Sequence, residues 1–492
     1  MAIRARLSAP REIQQKWPYH KVKSASLPAS MLFGSDRRME AENFLASGFA
    51  TRQAFLSKSG GWCRFADVAA TWQPSRLKGI QVSPDFGTPF LAATQVFDLR
   101  PVPRKWLSLD RTEDSSERFV RECTILLTCS GNVGRATLAD ASIDGMLISH
   151  DLLRIKARQE GNWGWIYAYL RSPTVRAMMT SAQYGHMIKH LEIAHLDALP
   201  IIRVEDAVAR SFTDRAASVV QKRNASVAST HEAERLFEAV AGTFVAPDDG
   251  TKGFSVLASQ TFDGPRRRLE AYHHNPTVRS LVGHLAQNAI GWASVADLGF
   301  RVWLPTRFRR IAAEDGVPFV DSADLFEVNP DITKRIADKD FGDAHNGRVR
   351  RGWMLLSRSG QIYGLNGSAI ISGQAHEGKV ISDHVIRIAS DQPKCRVGYL
   401  LTAMTHPELG RPRVKSLAYG SSIPEIEVED IKVLAIPRFG SGIEGQIADQ
   451  AELAARLRDE ADILETQLAE DADEIVTDFL SHKAAGILAI AK

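Results

Sequence analysis

The feature that most constrains this chain is that it contains itself twice. Arg38-Met39-Glu40-Ala41 lies over Arg268-Leu269-Glu270-Ala271, and Trp62 with Asp67 over Trp292 with Asp297, at a shift of 230 residues. Gly87-Thr88-Pro89-Phe90 meets Gly316-Val317-Pro318-Phe319, and Leu126 to Gly131 meets Leu355 to Gly360, at 229. Ile148-Ser149 and Arg154-Ile155 meet Ile381-Ser382 and Arg387-Ile388 at 233; Tyr184-Gly185, Ile188 and Leu199 meet Tyr419-Gly420, Ile423 and Leu434 at 235. The order is kept and the shift drifts slowly, as small loop insertions require. The period is too long for a solenoid, so one folded domain is present twice.

Each copy reads as a mixed α/β domain, not a βαβ series. Thr124 to Thr128 and Trp353 to Ser357 are apolar runs closed by Ser-Gly, which predicts buried strands. Asp151 to Ile155, His384 to Ile388, Leu199 to Ile202 and Val433 to Pro437 predict further strands; Trp165 to Met179 and Gly398 to Met404 predict helices. A long helix follows each copy. In the second, Leu457, Ala461, Leu464, Leu468, Ile475 and Phe479 recur at helical spacing, with Ala472 beside the seam position held by Asp471. In the first, Phe212, Ala216, Val219, Val220, Val227, Leu236 and Val240 form a stripe that turns polar at Lys222 to Asn224. The division expected is an extension at 1–36, a first domain at 37–203, its helix at 204–241, a linker at 242–265, a second domain at 266–437, its helix at 438–482 and a tail at 483–492.

A chain of 492 residues has room for two to four cores. No apolar run reaches eighteen residues and the N-terminus lacks an unbroken apolar stretch, so no membrane span or secretory leader is expected, and a cytoplasmic location is. Cys63, Cys123, Cys129 and Cys395 form no C-x-x-C pair and no zinc spacing, so no metal is expected. Charge is segregated. Between Gln446 and Leu480 stand eleven acids and two bases, so that against an overall +3 the remainder carries +12, a balance compatible with a polyanionic partner.

The ordered set of motifs, present twice from about Arg38 to Phe439 and followed each time by a helix, resembles the specificity subunit of type I restriction-modification enzymes. The resemblance rests on Arg268-Leu269-Glu270-Ala271-Tyr272, the Gly-x-Pro-Phe pieces, the strands before Ser130-Gly131 and Ser359-Gly360, the Ile-Ser-x-x-x-x-Arg-Ile strands and the Tyr-Gly turns. It implies two tandem target-recognition domains whose helices pair as an antiparallel coiled coil, with Phe212, Val219, Val227, Leu457, Leu464, Leu468, Ile475 and Phe479 on the seam. Each domain would read one half of a split site in double-stranded DNA, with the helices as the ruler. Adenine methyltransferase subunits, two of them, and translocating nuclease subunits would be the partners, and this chain would carry neither cofactor nor catalytic site. Two departures stand out: the first copy opens Arg-Met-Glu-Ala-Glu, and Gly131-x-x-Gly134 faces Gly360 with Gly364.

The cations offered to phosphates are Arg76, Lys78, Arg100, Arg104, Lys105, Arg111, Arg135 and Lys189 (beside His190) in the first copy. The second offers Arg307, Arg309, Arg310, Lys334, Arg335, Arg348, Arg350, Arg351 and Arg358, with Arg411, Arg413 and Lys415 before the second Tyr-Gly turn. Gly373 to Lys379 matches G-x-x-x-x-G-K, but Val380 stands where a phosphate loop needs Ser or Thr, so nucleotide binding is not expected. Ser130 and Ser359 lack the G-x-S-x-G setting of a nucleophile and read as turn serines. Two other classes stay open: a two-lobed nuclease or other enzyme acting on DNA, and an assembly scaffold that never touches DNA.

Overall fold

A computed structural model describes residues 41–76, 79–109, 115–182, 189–247, 253–262, 267–338, 347–361 and 364–481. Lys78, Arg111 and the first Tyr-Gly turn lie outside these residues, as do Arg38 to Glu40.

The first copy opens with α1 (Ala41–Leu45) and α2 (Ser47–Leu56), then β1 (Trp62–Arg64), α3 (Phe65–Val68), β2 (Ala69–Trp72) and β3 (Ile80–Val82). There follow β4 (Thr88–Leu91), β5 (Lys105–Ser108), β6 (Ile125–Thr128), β7 (Ala136–Leu138), β8 (Leu147–Ile148) and β9 (Leu152–Ala157). It closes with α4 (Trp163–Arg171), α5 (Pro173–Ala182), α6 (Ile193–Asp197) and β10 (Pro200–Ile202), and runs into the long α7 (Asp206–Ala241). The second copy runs α8 (Pro276–Asn288), β11 (Gly291–Ser294), β12 (Arg301–Trp303), β13 (Ala312–Val320), β14 (Arg335–Ile336), β15 (Met354–Ser357) and β16 (Ala369–Ile371). Then come β17 (Val380–Ile381), β18 (Val385–Ala389), α9 (Val397–Thr405), α10 (Arg411–Lys415), α11 (Val428–Val433), β19 (Ala435–Arg438) and the long α12 (Ser441–Ser481).

The duplication extends to strand register. Order β2-β9-β6-β7 in one four-stranded sheet is matched by β12-β18-β15-β16. The parallel pair β4·β8, Leu91 opposite Ile148, is matched by β13·β17, Val320 opposite Ile381. The closing pair β1·β10 is matched by β11·β19. The Ile-Ser-x-x-x-x-Arg-Ile motif is a staple inside this fold. Arg154 is buried and donates to the carbonyls of Ser149 at 2.9 Å, Leu152 at 2.5 Å and Ile148 at 2.8 Å. Arg387 does the same to Ser382 at 2.8 Å, Ile381 at 2.6 Å and Val385. Burial lowers the two guanidinium pKa values to about 10 and about 9. Trp165 and Tyr399 donate to the closing strands at Ile202 and Pro437. Gly164 and Gly398, at matching places in α4 and α9, let those helices touch the backbones of α7 and α12, where a Cβ would come within 2.3 and 2.6 Å.

Two expectations are corrected. The counterpart of Gly134 is Gly367, not Gly364. Both have positive φ, 83° and 74°, and their N–H groups bond Thr128 and Ser357 across equivalent turns. The insertion that changes the shift therefore lies between 361 and 366. Val433 ends α11 instead of starting the last strand, because Leu434 bonds back to Ile431.

The long helices pair antiparallel, as Arg215–Asp471 (2.7 Å), Lys222–Glu460 (2.5 Å) and the Ser226 hydroxyl on the Ala454 carbonyl (2.7 Å) establish. They are exchanged between the copies. Phe212, Ala216, Val219 and Val220 of α7 complete the first core, while its last turns, Ala233, Phe237 and Ala241, enter the second. Helix α12 starts in the second core with Ile447 and Ala448, and ends in the first with Ala461, Leu468, Ala472, Val476 and Phe479, which stacks on Phe55 at 5.2 Å. Leu464 and Ile475 flank this stripe half-buried, and Ala472 does cover for Asp471. Val227 and Leu457 are only half-buried, because the helices cross there through polar contacts. Arg223 and Arg171 (3.3 Å) converge on buried Glu465, which also accepts from Tyr167, and Lys222 meets Glu460. That is the physical reason for the polar middle of the first stripe: the segment is the crossing point.

The helices are not a free-standing spacer. The two copies touch directly. Leu99 N–H donates to Phe326 O at 2.8 Å and Val328 N–H to Phe97 O at 2.7 Å, with Asp98 bridged to its own counterpart Glu327. Asp98 meets its own equivalent, while Phe97 and Leu99 each meet the equivalent of the other, the reciprocal pattern that a twofold axis produces. Arg135 locks it, pairing with Glu327 at 2.6 Å and stacking on Phe97 at 3.9 Å. Burial pushes the Asp98 carboxyl up to about 6, with Glu327 opposite adding to it.

Candidate nucleic-acid interface

In both copies three segments meet at one end of the four-stranded sheet, where β6 or β15 leaves and β9 or β18 begins. In the second copy Arg358 N–H bonds His384 O at 3.0 Å, Ile426 N–H bonds Arg358 O at 3.0 Å, and Gly360 N–H bonds Pro424 O at 3.2 Å. In the first, Cys129, Asp151, Leu191, Gly131 and Lys189 make the same three bonds at 2.9–3.0 Å. The backbone therefore brings three positions side by side: Ser130, Asp151 and His190 in the first copy, and Ser359, His384 and Glu425 in the second, with the Asp151 carboxylate turned to the Ser149 hydroxyl at 2.9 Å and to His150 at 3.5 Å.

The Ser359 hydroxyl lies 3.0 Å from His384 Nδ1 and 2.9 Å from Glu425 Oε1. Arg358 holds Glu425 at 2.9 Å and Glu427 at 3.0 Å, and Tyr419 donates to Glu427, which raises the tyrosine pKa. Beside His384, Asp383 is paired with Arg310 at 2.5 Å, which holds its carboxyl below the usual range. In the first copy Ser130 lies 2.9 Å from His190 Nδ1. This is not a nucleophilic relay. In such a relay the acid binds the imidazole nitrogen remote from the serine; here the carboxylate approaches the same nitrogen, at 3.8 Å. The arrangement is a half-exposed set of donors and acceptors.

Cations surround it unevenly. Arg76 and Arg307 follow β2 and β12 at matching positions, exposed at this same sheet end, with Arg309 beyond. Lys189 adjoins His190. Lys105 sits opposite Phe90 on the ladder that leads to this corner, after exposed Arg104. Arg310, Lys334 and Arg335 line a cavity of about 710 Å³ with Phe319 and Ile336. Lys334 pairs with Asp321, Arg348 with Asp338, and Arg335 donates to Gly316 O at 2.9 Å. Arg350 and Arg351 precede β15, at the opposite end of the sheet.

Others hold the fold. Arg413 is buried, donates to Ala435 O and lies over Trp292. Arg135 belongs to the contact between copies, Arg100 reaches Glu234 of α7 at 2.7 Å, and Arg411 donates to Gly364 O at 2.7 Å. Lys415 is half-buried, and desolvation lowers its pKa to about 8. Sequence reasoning overlooked His384, Asp151 and Glu425. Their signal was present: at shifts of 233 and 235 an acid faces a histidine and a histidine faces an acid.

The glycine-rich stretch is occupied from within. Asp459 of α12 accepts from Gln374 and Ala375 N–H, both at 2.8 Å, and a Cβ on Gly373 would fall 2.1 Å from that carboxyl. Asn224 of α7 takes Ala141 N–H at 2.8 Å in the first copy. A carboxylate thus holds the place a phosphate would need.

Among the described residues no group of histidine, cysteine, aspartate or glutamate has metal-binding geometry, and no helix is long and apolar enough to cross a membrane. No family model matches the chain, and no curated protein does. Among solved structures the chain is similar to the type I restriction-modification S subunit from M. genitalium, at 11% identity over 87% of this chain and 98% of that one, with a TM-score of 0.35. It is also similar to the HsdS subunit from Thermoanaerobacter tengcongensis, at 13% over 85% and 95%, with a TM-score of 0.25.

Proposed function

We propose that this chain is the DNA-recognition subunit of a type I restriction-modification or related defence complex, reading a two-part site in duplex DNA while partners supply the chemistry. The observation that carries the reading is the pseudo-twofold repetition of one polar, cation-flanked cluster, one per copy, on a frame fixed by exchanged helices and a reciprocal strand contact. Protein symmetry of this kind matches a DNA site in two halves. Polar side chains at a sheet end suit base edges, and neighbouring arginines suit phosphates. Two adenine methyltransferase subunits dock on the paired helices, and translocating nuclease subunits join them. The chain works without a cofactor, in the cytoplasm.

The test is binding of the purified chain to duplex DNA over a salt series, with magnesium and a methyl donor present. Binding that falls steeply with salt, without cleavage or methyl transfer, is expected. Cleavage or methyl transfer by the chain alone would favour a two-lobed enzyme, and no binding at low salt would favour an assembly scaffold.

A further inference from the structure

We infer that the residue pairs His190/Glu425 and Asp151/His384 determine which base each copy accepts, an inference that rests on the DNA-recognition reading above. At several positions that carry the fold, the two copies keep the same chemistry. Arg154 and Arg387 make the same three bonds, Trp165 and Tyr399 brace the same strand, and Asn224 and Asp459 receive the same loop. At the sheet end the backbone bonds are equally preserved and the serine is retained. Yet at the two positions beside it acid and imidazole are exchanged in the sequence, His190 alone bonding Ser130 while Asp151 bonds the Ser149 hydroxyl at 2.9 Å.

Packing therefore does not select these side chains. They are half-exposed: Glu425 is 25% accessible, His384 38% and Asp151 39%. Arg76 and Arg307 stand exposed at the same end in both copies, placed to hold a phosphate backbone while the cluster faces the bases.

The chemistry follows from the exchange. A carboxylate only accepts, so Glu425 suits a base presenting an amino group, cytosine above all. His190, which donates or accepts according to tautomer, suits a base presenting an acceptor at the corresponding place. The two halves of the site would then differ there, and one polypeptide would read an asymmetric sequence with a nearly symmetric scaffold.

The experiment is selection from a randomised duplex library with the wild-type chain, Glu425→Gln and His190→Gln, each checked by its melting curve. The wild type should enrich two sequence blocks. Glu425→Gln should change base preference at one position of one block by roughly tenfold, toward adenine, because an amide pairs with the adenine edge. His190→Gln should alter the other block alone. Two unchanged blocks in both variants would overturn the inference and leave the recognition reading intact. No enriched sequence with wild type would sink that reading itself. A uniform loss of affinity in both blocks would mark the residues as structural and overturn the inference too.

Discussion

The two copies agree most closely where they are buried and least where they are wet. The order of the four-stranded sheet, the closing strand pair and the arginine staple repeat, although the paired positions are often different residues. The cluster at the sheet end repeats its backbone and inverts its side chains. A duplicated domain thus separates the residues that hold a fold from those free to be reassigned, without any alignment of relatives.

That comparison can be broken in several places. Arg387→Met should have the largest effect, about 3 kcal/mol, because it leaves three buried carbonyls without donors. Arg154→Met should match it, each lowering the melting temperature by several degrees. A clear inequality between the two would break the equivalence of the staples. Asp459→Ala should cost about 2 kcal/mol and Asn224→Ala about 1, since the first leaves two N–H groups and the second one; denaturant unfolding checks the order. Gly373→Ala should resemble Asp459→Ala, because its methyl displaces the same carboxyl.

The last effect appears only as pH falls. Burial lowers the pKa of His376 to about 3, helped by Arg458 and Lys379. A histidine held neutral stabilises the fold above its ordinary pKa, near 6.5. That stability drains as pH falls toward 3, by at most about 1.4 kcal/mol per pH unit. Ile143 holds the matching place in the first copy. His376→Ile should therefore flatten the dependence of the melting temperature between pH 7 and pH 4.5. An unchanged slope would show that other groups dominate.

The duplication was legible because buried strands and their turns tolerate little change, so motifs such as Ile-Ser-x-x-x-x-Arg-Ile survived in order. What that arginine does was not legible. Nothing local separates a cation that reaches solvent, such as Arg307, from one that folds back on carbonyls, such as Arg413. The polar middle of α7 weakened the stripe in one dimension, though in three it is where Arg223 and Lys222 meet α12. Gly367 was missed because a loop insertion hid the equivalence, which only strand pairing reveals. The cluster at the sheet end was hidden for a different reason: its members come from three segments and look unlike in the two copies.

The central claim is that two readers sit on one rigid frame. Affinity for duplexes carrying both half-sites, with the gap between them stepped one base pair at a time, tests it most directly. The frame predicts one preferred gap, with binding falling at least tenfold one or two base pairs to either side. Equal affinity across all gaps would contradict it.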